Sequence, residues 1–295
     1  MNDIDVINKI MKASKPSDVF SDDWKKEYVQ FSKLIHPDAC SHPSAMDAMT
    51  KLNEYKQLIS NGVTYTDEAG DFNVFENRIE RDITDDNKEL LMKSYKTYRK
   101  IMSFNDKSLK DHFYKYLPKS MVIAGNKMTI HLHERSIPLT NNTLSQVHVN
   151  WIFSRMFEFN LWFSQKGYAH LGYNPTSVFV VPSTHGVAIT SFYHVTKIGQ
   201  KVDTISAKYK MWYPTRLFNE KIAKPDIDLE LCKKTAIYLL GDKSASGAKL
   251  KRDKNVNQQL LTFLMTKHMN TVDDYDQFRN ILAKNFKKKF YVLDL

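Results

Sequence analysis

The chain has 295 residues, 42% of them hydrophobic and 12% aromatic, which suffices for one large domain or two modest ones and excludes wholesale disorder. Lysine and arginine number 43 against 33 acidic residues, and the net charge of +10 permits an acidic partner without requiring one. There is no apolar run of about eighteen residues and the N-terminus is polar, so we expect a soluble, cytoplasmic protein with neither a spanning helix nor a secretory signal. Two cysteines are too few for a disulfide framework.

The first part of the chain has the apolar spacing of two amphipathic helices. The first stripe recurs at intervals of four, three and four residues and comprises Trp24, Tyr28, Phe31 and Ile35. The second stripe also has helical spacing and comprises Ala45, Met49, Leu52, Tyr55 and Ile59. Because a short loop joins them, we expect the two helices to pack antiparallel, each burying the stripe of the other.

The elements that follow are short hairpins and longer helices. Hairpins are predicted around Gly70 and around Gly125-Asn126, and two further short strands are expected at Val178–Val181 and Val187–Thr190. Apolar periodicity predicts helices over residues 86–103, 145–166, 227–240, 255–268 and 273–286. Strands come early and helices dominate late, which indicates an α+β body after an all-α N-terminal module.

The loop between the first two helices begins with the tripeptide His36, Pro37 and Asp38. Together with its flanking helices, this tripeptide resembles the J domain of DnaJ-type co-chaperones, in which a basic amphipathic helix, His-Pro-Asp, a loop and a second helix follow in this order. Other residues of the family pattern are kept at Tyr28, Asn53 and Glu54. An unrelated helical hairpin with the same three residues in its turn is the alternative.

The resemblance implies that the loop docks on the ATPase domain of a DnaK-type chaperone and stimulates its hydrolysis of ATP. Pro37 fixes one backbone angle and so holds its two neighbours in a constant relation, while Asp38 offers a charged acceptor to the partner. The positive face that meets the chaperone would be formed by Lys25, Lys26 and Lys33. Val29 and Gln30 replace residues that are usually basic. A structural or adaptor protein whose J fold no longer engages a chaperone therefore stays open.

A second resemblance lies in the segment from GYAHLGYNP to HGVAITSFYH, which is similar to the catalytic loop and metal-binding motif of a protein kinase. On the family pattern His-Arg-Asp-x-x-x-x-Asn, His170 falls on the histidine, Gly172 on the catalytic aspartate and Ser177 on the metal-binding asparagine. Ser191 falls on the aspartate of Asp-Phe-Gly. The resemblance also makes Asp228, in the long buried helix downstream, the candidate anchoring acid of that helix.

These replacements remove the groups that phosphoryl transfer requires, which are an acid that orients the hydroxyl and two oxygen ligands for magnesium. None of Gly172, Ser177 and Ser191 carries a charge, and neither a GxGxxG loop nor a V-A-I-K lysine is identifiable. The resemblance therefore implies a pseudokinase body that is not an enzyme, needs no cofactor or metal and binds a protein client. Residual kinase activity would appear as magnesium-dependent binding of ATP, which we do not expect. An unrelated α+β domain with a similar loop is the alternative.

Taken together, the two resemblances predict a J-like domain over residues 1–61 and a bilobal kinase-like body. Its small lobe, β-rich with one helix, would span residues 62–145, and its mainly helical large lobe residues 146–295. This combination, with the lysine-rich composition, is typical of a viral or phage accessory protein that acts in the host cytoplasm.

Two other patterns point to different kinds of site. His131 and His133 share one face of a strand, but no cysteine and no HExxH motif completes a zinc set, so we expect polar positions and no metal. The basic segment Lys284–Lys289 is interleaved with Phe286, Phe290 and Tyr291. Because phosphates attract lysines and bases stack on aromatic rings, a nucleic-acid-binding accessory protein is a further alternative.

Overall fold

The computed structural model describes residues 1–21, 23–267, 271–287, 289 and 291–293. Lys288 and Phe290 of the basic segment, and the last residue of the helix predicted over 255–268, therefore lie outside the described residues.

The N-terminal part is helical and has a hydrophobic core of its own. Its elements are α1 (Asp3–Lys12), a 3₁₀ turn (Pro16–Asp18), α2 (Trp24–Ile35) and α3 (Ala45–Ser60). Both sequence stripes are confirmed, because Phe31 and Ile35 of α2 are buried against Leu52 and Tyr55 of α3 in one cluster, to which α1 adds further apolar side chains. Asn2 begins α1 with a capping box in which its side chain accepts from Asp5 N at 2.8 Å.

A small antiparallel sheet follows, with strand order β1-β2-β3-β5-β4. Its strands are β1 (Val63–Asp67), β2 (Gly70–Val74), β3 (Arg78–Asp82), β4 (Ser120–Ala124) and β5 (Lys127–His131). Two helices lie between β3 and β4 in the chain, namely α4 (Lys88–Met102) and the short α5 (Lys107–Asp111). Both predicted hairpins are confirmed, and Gly70 and Gly125 take the left-handed backbone angles that their turns require.

In the larger, mainly helical part, the described residues form five further helices, α6 (Gln146–Gln165), α7 (Thr215–Glu220), α8 (Pro225–Leu239), α9 (Gln258–Met265) and α10 (Thr271–Asn285). Its short strands are β6 (Ile137–Pro138), β7 (Tyr168–Ala169), β8 (Val178–Val181), β9 (Gly186–Ile189) and β10 (Thr196–Lys197). β8 lies between β6 and β9, and β7 pairs with β10. The helix predicted over 145–166 is confirmed, and its stripe Ile152, Met156, Phe159 and Phe163 is buried.

One continuous core joins the sheet to this helical part and is separate from the core of the first three helices. The N-terminal part touches the sheet through a hydrogen bond from Ser17 Oγ to Glu76 at 2.7 Å. Within the described residues, no helix combines the length and the apolar character needed to cross a membrane. The chain therefore consists of a small helical unit attached to a larger α+β body.

Because the two cores are separate, a substitution that creates a cavity in the core of the N-terminal helices should destabilise those helices and leave the α+β body unaffected. We expect Leu52→Ala, at a fully buried position, to lower the stability of the helical unit by about 2–5 kcal/mol. In limited proteolysis followed by mass spectrometry, new cuts should appear within residues 1–60 while the α+β body persists as a fragment. Val29→Ala, at an exposed position of the same unit, is the control. Equal new cutting in both parts would contradict two separate cores.

Candidate functional sites

The His36-Pro37-Asp38 tripeptide forms an exposed turn directly after the end of α2. Ala39 N and Cys40 N both donate to the carbonyl oxygen of His36, at 2.8 and 2.9 Å, and close the turn. The side chain of Asp38 is 90% exposed and that of His36 is 51% exposed. Asp38 N donates to His36 Nδ1 at 3.3 Å, so the imidazole is oriented by the backbone of the turn. Two polar side chains are thus presented to solvent in a fixed relation.

The lysines of α2 are exposed, but they do not all lie on one side of the helix. Lys26 and Lys33 are seven residues apart, which at about 100° per residue puts them on the same face, with the half-exposed Val29 between them. Lys25 lies about 100° around the helix from Lys26, and its Nζ is 5.7 Å from the ring centre of Trp24. The face that leads to the tripeptide therefore carries two lysines and not three.

A polar contact sets the pairing of α2 with α3. Tyr28 Oη donates to Asn53 Oδ1 at 2.7 Å, and Lys56 Nζ lies 4.3 Å from the ring centre of Tyr28. The ammonium group of Lys56 thus lies near the π face of the tyrosine ring. Both contacts join the same two helices.

The second site lies between the sheet and the helical part and is anchored by one buried carboxylate. Asp228, in the first turn of α8, accepts from His170 N and Leu171 N, each at 2.6 Å. Burial raises the pKa of Asp228 to about 7, and the two amide donors oppose that rise. Leu171 has a left-handed backbone with φ of 55°, and its carbonyl accepts from Tyr213 Oη at 2.6 Å. The loop is thus clamped from α8 and from the segment before α7, and Asp228 anchors it as expected.

The loop that follows satisfies its own polar groups. Ser177 Oγ lies 2.5 Å from the carbonyl oxygen of Gly172, and Asn174 Nδ2 donates to the same oxygen at 3.0 Å. Asn174 Oδ1 accepts from the backbone of Thr176 and from that of Ser177. All of these residues are buried. Gly172 and Ser177, two of the aligned kinase positions, therefore offer neither a charge nor an unused ligand atom.

Ser191, the aligned position of the Asp-Phe-Gly motif, lies beside this loop and begins the segment that connects the loop to the sheet and α4. His170 Nε2 donates to the carbonyl oxygen of Ser191 at 2.9 Å, and burial lowers the pKa of His170 to about 3, so the ring is neutral. Phe192 N donates to Ser94 Oγ of α4 at 2.9 Å, and the ring of Phe192 packs between those of Tyr98 and His170. This packing ties α4 to the helical part.

A buried ion pair within the sheet holds the tip of the β1–β2 hairpin, and the same carboxylate contacts the segment that follows Phe192. Arg81 of β3 donates two hydrogen bonds of 2.9 Å to the two carboxylate oxygens of Asp67, and both side chains are at most 4% exposed. Asp67 also accepts from Ala69 N at 2.8 Å and from Tyr193 Oη at 3.0 Å. Burial raises the pKa of Tyr193 well above its ordinary value, so its hydroxyl is a donor. We call these three side chains, Arg81, Asp67 and Tyr193, the interlobe lock.

A second acidic residue of the same turn makes a parallel contact. Glu68 Oε1 lies 2.9 Å from His194 Nε2, and the other ring nitrogen of His194 lies 3.1 Å from Thr204 Oγ1. Both consecutive acidic side chains of the β1–β2 turn therefore reach across to residues 193 and 194.

Sequence reasoning missed the interlobe lock. It found no V-A-I-K lysine and did not recognise β3, in which Arg81 is the buried cation. The available signal was alternation, because Ile79 and Arg81 are buried and point to the same side of the strand.

None of the aligned positions His170, Gly172, Ser177 and Ser191 carries a carboxylate that could hold magnesium. Across the part of the chain that the structure describes, no group of three or more histidine, cysteine, aspartate or glutamate side chains could hold a metal ion. His131 and His133 belong to no such group.

No protein-family model and no curated protein matches the chain. Among solved structures, the chain is similar to the crystal structure of the Toxoplasma gondii specific rhoptry antigen kinase domain, at 14% sequence identity and a TM-score of 0.47. That match covers 75% of this chain and 78% of the other. At this level of identity, the function has to be inferred from the residues of the sites.

A double-mutant cycle should show strong coupling in the interlobe lock. Arg81→Met leaves the Asp67 carboxylate buried without its cation, and we expect a loss of about 3–5 kcal/mol in the free energy of unfolding. Asp67→Asn in the same chain should restore part of that loss, because it removes the unpaired charge while the amide oxygen can still accept from Ala69 N and the amide nitrogen can donate to Tyr193 Oη. Chemical denaturation of the four proteins measures the coupling.

The matched control is the cycle on Lys107 and Asp111, an exposed ion pair for which we expect coupling near zero. Additive losses for Arg81 and Asp67 would mean that the pair does not act as a unit.

Proposed function

We propose that this protein is a co-chaperone-like adaptor, in which a J-like helical unit docks on a DnaK-type chaperone and a non-catalytic kinase-like body binds a client protein. The division proposed is residues 1–61 for the J-like unit, 62–145 for the small lobe and 146–295 for the large lobe. The observation that carries the docking function is the exposed His36-Pro37-Asp38 turn at the end of the lysine-bearing face of α2. The proposed place of action is the cytoplasm.

The docking proposal is supported by what the turn offers to a partner. Asp38 is exposed, charged and constrained by Pro37, so it can accept from an arginine or a backbone amide with little loss of side-chain freedom. Lys26 and Lys33 supply positive charge on the adjacent face, which favours an acidic surface. With two lysines on that face, the attraction should be weak and sensitive to salt.

The kinase-like body is supported by the order and contacts of its elements. A five-stranded antiparallel sheet with α4 between β3 and β4 precedes a helical part whose loop is held by Asp228 through the amides of His170 and Leu171. In protein kinases, the β3 lysine pairs with a glutamate of the following helix. Here Arg81 takes the place of that lysine on β3 and pairs with Asp67 of the preceding turn.

The negative charge of the β1–β2 turn supports the proposal that the body is not catalytic. Kinases cover the ATP phosphates with a glycine-rich loop and neutralise them with lysine and magnesium. In this chain the corresponding turn carries Asp67 and Glu68, which contact residues 193 and 194 across the cleft. Two carboxylates at this place would repel a triphosphate, and the only nearby cation of the lock is already paired. The body is therefore proposed to bind a protein partner and to transfer no phosphate.

The docking function predicts faster ATP hydrolysis by the chaperone. In single-turnover assays with several DnaK-type chaperones, addition of the intact protein should accelerate hydrolysis, and His36→Gln or Asp38→Asn should abolish the acceleration. Asp47→Asn removes an exposed carboxylate from the same helical unit and leaves the tripeptide intact, so it should behave like the parent. A conventional DnaJ protein serves as the positive control.

No acceleration with any of these chaperones, in assays where the conventional DnaJ protein is active, would contradict the docking function. It would favour an adaptor whose J fold no longer engages a chaperone.

The kinase-like cleft predicts no response to magnesium. Thermal unfolding with ATP and Mg²⁺ should occur at the same temperature as with ATP and EDTA, because no described carboxylate at the aligned positions can hold the metal. An active protein kinase in the same buffers should show the Mg²⁺-dependent rise that ligand binding produces. A comparable rise in this protein would contradict the proposal of a non-catalytic cleft.

A further inference from the structure

A cavity of about 620 Å³, whose lining shares no residue with either site described above, lies between one face of α6 and the segment formed by α10 and the residues after it. The face of α6 is formed by residues with helical spacing, among them Trp151, Arg155 and Glu158, and the opposite wall comes from α10 and the segment after it. Its volume is within the range of about 300–1,000 Å³ that is typical of small-molecule sites. The described part of the basic C-terminal segment thus becomes one wall of a cavity.

The walls of the cavity offer aromatic rings. Trp151 packs edge-on against His185, with ring centres 3.8 Å apart, which fixes the indole at the wall. On the other side, Phe286 is half-buried and Tyr291 is 38% exposed. Burial lowers the pKa of His185, so this ring adds a neutral aromatic edge and no charge. Flat apolar surface of this kind suits a planar heterocycle.

The polar groups of the cavity are mainly cations. Four basic side chains line it, namely Arg155, Arg279, Lys287 and Lys289. Glu158 is the single carboxylate among its described lining residues, and it is already engaged by Arg155 at 2.9 Å and by the hydroxyls of Tyr116 and Tyr275 at 3.1 and 3.0 Å. Arg279 and Lys287 are exposed. Among the described residues, no carboxylate forms a salt bridge with Arg279 or Lys287, so an anion that enters the cavity meets positive charge there.

We propose that this cavity binds a nucleoside phosphate, either as a free mononucleotide or as one unit of a single-stranded nucleic acid. The base would lie on the aromatic wall, and the phosphate would pair with Arg279 and Lys287, since guanidinium groups bind phosphate in a bidentate manner. The cavity shares no residue with the kinase-like site, where Asp67 and Glu68 lie at the turn that would cover a nucleotide's phosphates. It gives the aromatic and basic residues at the end of the chain a common role.

The test is a titration of the full chain with a fluorescent N-methylanthraniloyl derivative of AMP in the presence of EDTA, followed by anisotropy. We expect the Arg279→Gln/Lys287→Gln variant to weaken binding at least tenfold, because both phosphate partners are lost. The matched control is Lys251→Gln/Arg252→Gln, which removes the same charges from exposed positions outside the cavity and should change affinity less than twofold. A nucleotide in the kinase-like cleft would not respond to Arg279 and Lys287, so the two sites are distinguished.

A second arm identifies the source of the nucleotide. A labelled single-stranded oligonucleotide of about twelve bases that binds more tightly than AMP, is displaced by AMP and loses affinity in the same variant indicates a nucleic-acid strand. Binding of AMP without binding of the oligonucleotide indicates a free nucleotide. The proposal is overturned if AMP and the oligonucleotide both fail to bind at millimolar concentration, or if the cavity variant and the control variant bind equally well.

Discussion

Arg81 and Asp67 form an ion pair that is almost completely shielded from water at the junction of the sheet and the helical part. Burying two charges is unfavourable unless both are paired and hydrogen-bonded, so the pair constrains everything that touches it. Asp67 holds its own turn through Ala69 N and holds the helical part through Tyr193. As long as the pair is intact, the β1–β2 turn stays against residues 193 and 194, where Asp67 and Glu68 make their hydrogen bonds.

The first three helices are held together by their own hydrophobic core, and their described residues form no buried ion pair. Their apolar side chains form a core separate from that of the body, so the unit can present its turn while the body keeps its own packing. Most of the unit's apolar stripe is used internally, whereas the side chains of His36 and Asp38 point to solvent. The exposed polar turn is the feature on which the proposed docking rests, and the separate body is the part proposed to bind a client. The proposed adaptor function combines the two.

Local patterns allowed much of the fold to be predicted. The stripe of α6 repeats with a helical period, and the glycines at positions 70 and 125 mark turns, so these elements follow from short stretches of sequence. β3 was missed because Arg81 interrupts the apolar alternation by which a strand is recognised. Its partner Asp67 lies on another strand, and a contact between two elements has no local signal. The cavity could not be foreseen for the same reason, since α6 and α10 meet only in the folded chain, although its basic and aromatic wall was visible as a composition.

Amide hydrogen exchange of the intact protein tests most directly whether the β1–β2 turn closes the cleft. The backbone N–H groups of residues 66–71 and of residues 191–195 should be protected to a similar degree, because the interlobe lock joins the two segments, and Mg²⁺ with ATP should change neither. Rapid exchange in residues 66–71 beside a protected segment 191–195 would mean that the turn is open in solution. New protection of both segments on addition of Mg²⁺ and ATP would mean that the cleft binds nucleotide. Either result would contradict the proposed non-catalytic body, in which the acidic turn is held against residues 193 and 194.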